Sequence, residues 1–180
     1  VYLLGRAEDY IDGQYVAWVS YWLMEKQRQE KSFFTIHSSA LATNGKGILL
    51  LGQSGAGKTS LLLDLCRKYP STIVSNDLTV IRHDTESRKL MLVDGTKEIR
   101  LRLASVDRNF PALKHLFPEN TTSAWESKVA VSPEDIGFKS EKEQPELRSI
   151  FEVCLDSKGT DSLLVRQERS IPIRYRLYED

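Results

Sequence analysis

Residues 47–59 read Gly-Ile-Leu-Leu-Leu-Gly-Gln-Ser-Gly-Ala-Gly-Lys-Thr, and this stretch decides the fold. The segment 47–51 is an unbroken apolar run, which is typical of a strand buried on both faces of a sheet. The segment 52–59 matches the pattern G-x-x-x-x-G-K-[ST], and the leucine-rich segment 58–68 predicts a helix that ends before Pro70. A glycine-rich loop between a buried strand and a helix predicts a cradle for phosphate groups.

The composition of this loop suits the phosphates of a nucleoside triphosphate. Glycines at positions 52, 55 and 57 permit backbone conformations that a Cβ atom would oppose. Successive N–H groups can therefore converge on an anion at the positive end of the following helix. We expect Lys58 to contact the β- and γ-phosphates and the Thr59 hydroxyl to bind Mg²⁺. The predicted ligands are ATP and Mg²⁺, and the residues expected to hold them are Gly52, Gln53, Ser54, Gly55, Ala56, Gly57, Lys58, Thr59 and Ser60.

A second metal ligand is expected at the end of a neighbouring strand. The β-prone segment 71–75 follows the predicted helix and leads into Asn76-Asp77. This order places Asp77 at the carboxyl edge of the sheet, where α/β proteins bind their ligands. Asp77 is thus the expected carboxylate ligand of Mg²⁺. An aspartate that only stabilises the turn after a strand is the alternative.

The remaining segments predict a single α/β domain whose mixed sheet has a substantial antiparallel part. Residues 1–31 form a helical segment in this interpretation, and residues 32–180 form the nucleotide-binding core. Aromatic residues recur at helical spacing from Asp9 to about Gln29, which favours packing against the core over a surface for a partner. The other expected elements are strands at 33–37, 38–42, 79–83, 89–93, 99–103, 149–155 and 162–166 and a short helix at 107–117.

Charge and hydropathy argue against several classes of partner. The 180 residues contain 25 Lys or Arg and 25 Asp or Glu, so no net field attracts the whole protein to nucleic acid or an anionic membrane. The longest apolar run, near Trp18 and Trp22, is shorter than the roughly 20 residues that span a bilayer. No signal peptide is visible. We therefore expect a cytoplasmic protein that binds neither nucleic acid nor membranes.

The order of three segments is similar to that in a known superfamily. His37-Ser38-Ser39-Ala40-Leu41-Ala42 begins about fifteen residues before the glycine-rich loop, and Val74-Ser75-Asn76-Asp77 ends about twenty residues after Lys58. This arrangement resembles the HPr kinase/phosphorylase superfamily, which shares its core with ATP-dependent phosphoenolpyruvate carboxykinase. The resemblance covers roughly residues 33–82. It looks closest to related proteins that lack the N-terminal domain of the bacterial enzyme.

The resemblance implies a P-loop core of the HPr-kinase and carboxykinase type. It also implies an ATP-dependent kinase that transfers the γ-phosphoryl group to a hydroxyl, either of serine or threonine in a protein or peptide or of a small molecule. The catalytic residues that it implies are Lys58, Asp77 and His37, with His37 beside the phosphates, and it implies homo-oligomers. A carboxykinase acting on an oxoacid is a less favoured alternative, because 180 residues leave little room for its second domain.

One position departs from the pattern of the superfamily. Asn76 occupies the first place of its acidic pair, and an amide cannot accept a proton from the attacking hydroxyl as a carboxylate can. Three interpretations stay open: Asp77 serves as both metal ligand and base, the loose transition state needs little help from a base, or the chain is a nucleotide-binding regulatory or assembly module with weak or no catalysis.

Asp94, Glu98 and Lys128 could also approach the site, although a solvated position is the preferred interpretation of Lys128.

Overall fold

The computed structural model describes residues 14–118 and 127–154. Secondary structure in these ranges consists of three α-helices, two short 3₁₀ helices and nine strands. The α-helices are α1 (Gln14–Glu30), α2 (Lys58–Lys68) and α3 (Leu103–Asn109), and the 3₁₀ helices are Pro111–Leu116 and Glu134–Ile136. The strands are β1 (Phe33–His37), β2 (Ser39–Thr43), β3 (Lys46–Leu51), β4 (Ser71–Ser75), β5 (Leu78–Asp84), β6 (Lys89–Gly95), β7 (Ile99–Arg102), β8 (Lys128–Val131) and β9 (Glu146–Glu152).

The strands form a seven-stranded mixed sheet and a separate two-stranded sheet. Neighbours in the large sheet follow the order β1-β5-β6-β9-β3-β2-β4, and β7 pairs with β8. The pair β3–β9 is parallel, whereas the other pairs are antiparallel. A sheet of this kind, packed against helices, confirms the predicted α/β class with a substantial antiparallel part.

The large sheet folds back on itself at one corner. Ser38 alone connects β1 to β2, and Asn76-Asp77 connect β4 to β5, although β1 and β5 lie at the opposite end of the strand order from β2 and β4. Connections of one and two residues leave the two ends of the sheet only a few ångströms apart. Apolar side chains from both halves fill the space between them, namely Ala40, Ala42, Leu49, Val74, Ile81 and Leu92.

Helix α2 covers the other face of β2, β3 and β4. Because successive side chains of a strand point to opposite faces, Leu50 packs in the cluster that contains Leu62 and Leu63 of the helix, while Leu49 packs between the two halves of the sheet. Leu49 and Leu50 are 0% and 1% exposed, which confirms the predicted strand with both faces buried.

Some elements have the predicted bounds and others are displaced. β1, β4 and α2 coincide with the predicted segments. The helix expected at 107–117 begins instead at Leu103 and is interrupted at Phe110, because Pro111 disfavours helical backbone in the residue before it. The late strand expected at 149–155 begins earlier, as β9, and the sequence pattern did not predict β8. The strand expected at 162–166 lies outside the described residues.

Helix α1 presents apolar residues to solvent, so the prediction of core packing is wrong for them. Trp22 is 67% exposed and Leu23 is 42% exposed. Glu25 faces the sheet instead, where its Oε1 accepts a hydrogen bond from the Thr35 N–H at 2.8 Å, and Arg28 donates to the Thr35 hydroxyl at 3.0 Å. The reason is that β1 is an edge strand, and its outward Thr35 N–H needs a carboxylate acceptor that an apolar side chain cannot supply.

Part of the prediction for α1 lies outside the described chain. This applies to residues 9–13 and to the side chains of Tyr15 and Trp18. Among the helices of the described part, none is both long and apolar enough to cross a membrane.

Replacement of a core leucine on α2 tests the packing of the helix on the sheet. Leu62 is fully buried, so Leu62→Ala is expected to lower the free energy of unfolding by about 2–5 kcal/mol through the cavity that it leaves. Leu23→Ala on the exposed face of α1 is the control and should change it by less than about 1 kcal/mol. Urea denaturation measures both, and equal losses would contradict the assigned burial.

Candidate functional site

The glycine-rich loop lies at the corner where the sheet folds back. It connects the end of β3 to the start of α2. His37 ends β1 and Asn76-Asp77 follow β4, and the Ser38 N–H donates to the Asp77 carbonyl oxygen at 3.0 Å. The structure therefore brings together the three segments whose order in the sequence resembles that of the superfamily.

The backbone of the loop has the conformations that its glycines permit. Gly55 and Gly57 have φ angles of 84° and 89°, in the left-handed region. Gly57 is the N-cap of α2 and has no side chain with which to cap the N–H groups of the first turn. Gln53 and Ser54 are exposed, and the Ala56 N–H donates back to the Gln53 carbonyl oxygen at 3.1 Å. An anion at this exposed turn would therefore meet the positive end of the helix.

The Lys58 ammonium lies beneath the loop. The residue is 8% exposed, and its Nζ donates to the carbonyl oxygens of Gly52 and Gln53, the latter at 3.2 Å. Nζ also lies 3.3 Å from His37 Nε2. A buried ammonium needs acceptors of this kind, because the loss of its hydration costs free energy. The loop thereby holds a positive charge at the place where phosphates are expected.

His37 links Lys58 to Asp77. Its Nδ1 lies 3.4 Å from Asp77 Oδ1, and the side chains of both residues are 46% exposed. Because an ammonium group has only donors, Nε2 accepts from Lys58, and a neutral imidazole then carries its proton on Nδ1, facing Asp77. The three residues predicted to be catalytic therefore form one chain of contacts at the corner.

The backbone of Asp77 is in the left-handed region, with a φ angle of 81°. Residues other than glycine rarely adopt this conformation, and aspartate is among those that tolerate it best. The two-residue connection from β4 to β5 requires a sharp reversal here, and the bond from the Ser38 N–H anchors it. Asp77 can therefore stabilise this turn and present its carboxylate to the site at the same time, so the two interpretations of Asp77 are compatible.

Thr59 contacts the other member of the Asn76-Asp77 pair. Its Oγ1 donates to Asn76 Oδ1 at 3.0 Å, whereas Asp77 pairs with His37. Both residues predicted to bind Mg²⁺ are therefore neighbours of Asn76. Thr59 is hydrogen-bonded to its side chain, and Asp77 follows it in the sequence. Their role as metal ligands stays a prediction.

The remaining predicted residues face in different directions. The Ser60 hydroxyl lies 2.9 Å from a serine hydroxyl on α3. The Glu98 carboxylate forms a surface ion pair at 3.0 Å, and it is the Glu98 backbone carbonyl that contacts the site. Asp94 and Lys128 are exposed, which is the solvated position preferred for Lys128.

Sequence reasoning missed a buried cluster of hydroxyl groups beneath the site. Thr79 Oγ1 lies 2.7 Å from Ser38 Oγ and 2.6 Å from Ser75 Oγ, and all three residues are fully buried. Ser39, also buried, donates to Asn76 Oδ1 at 3.1 Å. The available signal was the position of these hydroxyl residues at the ends of otherwise apolar strands. Their hydrogen bonds join β2, β4 and β5 under the loop.

The groups at the corner suit a magnesium nucleotide. Mg²⁺ prefers oxygen ligands and is usually held by one or two carboxylates together with substrate phosphates and water. The Thr59 hydroxyl and the Asp77 carboxylate are oxygen groups of this type, and the Lys58 ammonium would supply charge for the phosphates. Among the described residues there is no cluster of three or more His, Cys, Asp or Glu side chains that could hold a metal ion.

Cys66 on α2 is a partly buried packing residue. It packs against the apolar cluster under the helix, and burial raises the pKa of its thiol to about 11. Since the thiolate is the nucleophilic form, Cys66 is largely unreactive near neutral pH.

Replacement of the first loop glycine tests the close approach of the loop to Val153, the residue that follows β9. A Cβ atom at Gly52 would lie 2.5 Å from the Val153 carbonyl oxygen, at a φ angle of 145°. Gly52→Ala is therefore expected to lower the free energy of unfolding by the cost of backbone strain and, in addition, by about 1–3 kcal/mol for the steric clash. Gly45→Ala is the control for a positive φ angle without a contact, because its φ angle is 71° and its Cβ would meet nothing within 4 Å. Equal losses in chemical denaturation would contradict the close approach.

Comparison with known proteins identifies relatives of part of the chain. HPr kinase/phosphorylases from Chlorobium phaeovibrioides and Chlorobium chlorochromatii are each 38% identical to it over 80 residues. The HPr kinase/phosphorylase from Chlorobaculum tepidum is 34% identical over 80 residues. These matches cover 41% of this chain and 24%, 24% and 23% of the three relatives, so the chain spans about a quarter of their length.

Two further comparisons complete this result. No family model matches the chain. The structure of the Hpr(Ser) kinase/phosphatase from Coxiella burnetii aligns with a TM-score of 0.42 and 16% identity, covering 66% of this chain and 63% of the other. The predicted relationship to the HPr kinase/phosphorylase superfamily is confirmed by the curated relatives over the part of the chain that they match.

Proposed function

We propose that this chain binds a nucleoside triphosphate with Mg²⁺ and transfers its γ-phosphoryl group to a hydroxyl. One observation carries the proposal: the buried Lys58 ammonium, held by the glycine-rich loop, contacts His37, which in turn contacts Asp77. A phosphate-binding cation and a carboxylate joined through one histidine provide both charge neutralisation and a proton acceptor. The names of the curated relatives, HPr kinase/phosphorylase, support a kinase activity.

Nucleotide binding would use groups that the loop already orients. The uncapped first turn of α2 offers N–H groups to phosphate oxygens. Lys58 now donates to the carbonyl oxygens of Gly52 and Gln53. Charged phosphate oxygens are stronger acceptors than neutral carbonyls, so they would draw the ammonium toward the nucleotide. A loop that positions these donors before binding lowers the cost of arranging them during the reaction.

Phosphoryl transfer would proceed in line at this corner. The acceptor hydroxyl oxygen forms a bond to the γ-phosphorus, the bond from that phosphorus to the bridging oxygen breaks, and the nucleoside diphosphate leaves. Asp77 is the proposed acceptor for the hydroxyl proton, and the contact from His37 Nδ1 orients its carboxylate. Mg²⁺, held by Thr59 and Asp77, would neutralise the charge on the phosphates.

A serine or threonine hydroxyl of a protein or peptide is the favoured acceptor. The side chains of His37 and Asp77 are each about half exposed at the edge of the sheet, so a hydroxyl on a large molecule can reach them without entering a deep cleft. A hydroxyl of a small molecule is the alternative acceptor. Mass spectrometry of candidate proteins, peptides and metabolites after incubation with ATP and Mg²⁺ distinguishes the two by the mass of the phosphorylated product.

A regulatory or assembly module with weak catalysis is the second candidate function. The observation that favours it is Asn76, since an amide replaces one of the two carboxylates implied by the superfamily pattern. Such a module would bind the nucleotide and leave it intact. Single-turnover measurement with excess protein decides between them, because a kinase forms one phosphorylated acceptor per bound ATP whereas the module returns ATP unchanged.

Loss of the loop lysine tests the proposed kinase activity. Lys58→Ala is expected to lower phosphoryl transfer by about a hundredfold or more, because the charge that stabilises the transferring group is removed. Lys58→Met keeps the apolar stem and should show the same loss. Lys68→Ala at the exposed end of the same helix is the matched control and should retain activity. Normal turnover by Lys58→Ala, with the correct product, would contradict the proposal.

A further inference from the structure

Asn76 is held by hydrogen bonds at three of its groups. The residue is 3% exposed. Its Oδ1 accepts from the hydroxyls of Thr59 at 3.0 Å and Ser39 at 3.1 Å. Its Nδ2 donates to the Glu98 carbonyl oxygen at 3.4 Å, and its backbone N–H donates to the Thr96 carbonyl oxygen at 2.6 Å. The side chain is therefore fixed at both ends.

These contacts distinguish the two ends of the amide. The Glu98 carbonyl oxygen can only accept a hydrogen bond, so it requires the N–H₂ end of Asn76. The carbonyl end then faces Thr59 and Ser39, and each hydroxyl donates its proton to it. With its proton directed at Asn76, the Thr59 oxygen keeps its lone pairs for another partner.

We infer that Asn76 is a positioning residue for the metal ligand Thr59, and that the site requires an amide at this position. Asn76 sets the orientation of the Thr59 hydroxyl, so that its proton faces the protein and its lone pairs stay available to hold Mg²⁺. The inference rests on the proposed nucleotide and metal binding. It also gives Asn76 a function of its own, in place of the interpretation that it marks a lost carboxylate.

An aspartate at position 76 would not fit these contacts. A carboxylate could still accept from Thr59 and Ser39. Its second oxygen, however, would face the Glu98 carbonyl oxygen in a buried place, where two acceptors repel each other and neither is satisfied. Asn76→Asp therefore destabilises the fold and brings no gain in catalysis.

The first experiment measures how much Mg²⁺ strengthens nucleotide binding. Calorimetry gives the Kd of a non-hydrolysable ATP analogue in Mg²⁺ and in excess EDTA. In Asn76→Ala and in Thr59→Ala, the gain from Mg²⁺ is expected to fall by about tenfold or more, as for other residues that orient a metal ligand. The double variant should lose no more than either single variant, because both changes remove the same interaction.

Ser39→Ala is the matched control for this measurement. It removes the other hydroxyl on the same Oδ1 atom and leaves the bond from Thr59 in place. The gain from Mg²⁺ should persist in this variant. Equal loss in Ser39→Ala and Asn76→Ala, or an unchanged gain in Asn76→Ala, overturns the positioning role. Absence of Mg²⁺-dependent binding by the unaltered chain overturns the proposed function as well.

The second experiment measures thermal unfolding without nucleotide, which keeps the two proposals apart. Asn76→Asp is expected to unfold at a lower temperature than the unaltered chain, whereas Asn44→Asp in the exposed turn between β2 and β3 should unfold at the same temperature. Unchanged unfolding of Asn76→Asp overturns the requirement for an amide. A separate assay of phosphoryl transfer gives the second outcome. A gain of about a hundredfold or more in Asn76→Asp also overturns the requirement, since general-base catalysis contributes about a hundredfold at the low end of its range.

Discussion

The short connections between the two halves of the sheet are the constraint on which the site depends. β1 must lead into β2 within Ser38, and β4 must lead into β5 within Asn76-Asp77, so polar groups are buried where the halves meet. Buried polar groups need partners inside the protein. Thr79 supplies them for Ser38, and Asn76 supplies one for Thr59. The hydrogen bonds that close the corner are thus the same ones that hold the residues beside the loop.

Local signals account for the parts of the fold and site that were predicted from the sequence. The apolar run of β3, the glycine-rich loop and the leucines of α2 are contiguous, and each can be recognised without knowledge of the rest of the chain. His37 and Asp77 lie far from the loop in the sequence, and no periodicity connects them to it. Asp77 was predicted from its position after the strand that follows α2, whereas His37 was identified through the resemblance to a known superfamily. The structure places the histidine in contact with both Lys58 and Asp77.

The features that were not predicted depend on contacts between distant segments. Helical periodicity indicates which residues of α1 share a face, but the edge of β1 determines which face turns inward, and Glu25 is the better partner there. β9 lies parallel to β3 in the sheet although about a hundred residues separate them, and no local pattern encodes that pairing. The hydrogen-bond partners of Asn76 could not be predicted from the sequence either, because Ser39 and Glu98 belong to segments distant from it in the chain.

The surroundings of Asn76 fit an amide better than a carboxylate. A carboxylate at a buried position carries a desolvation cost that nearby donors or a metal must offset. Besides the two hydroxyl donors, the Asn76 side chain contacts an acceptor, the Glu98 carbonyl oxygen, which would add to that cost. An amide avoids this cost, because its oxygen accepts a hydrogen bond from Thr59 and its N–H₂ group donates one to the Glu98 carbonyl oxygen. With the uncharged amide at position 76, Asp77 is the carboxylate of the pair, and its exposed position beside His37 is where the proposed metal and acceptor hydroxyl would meet it.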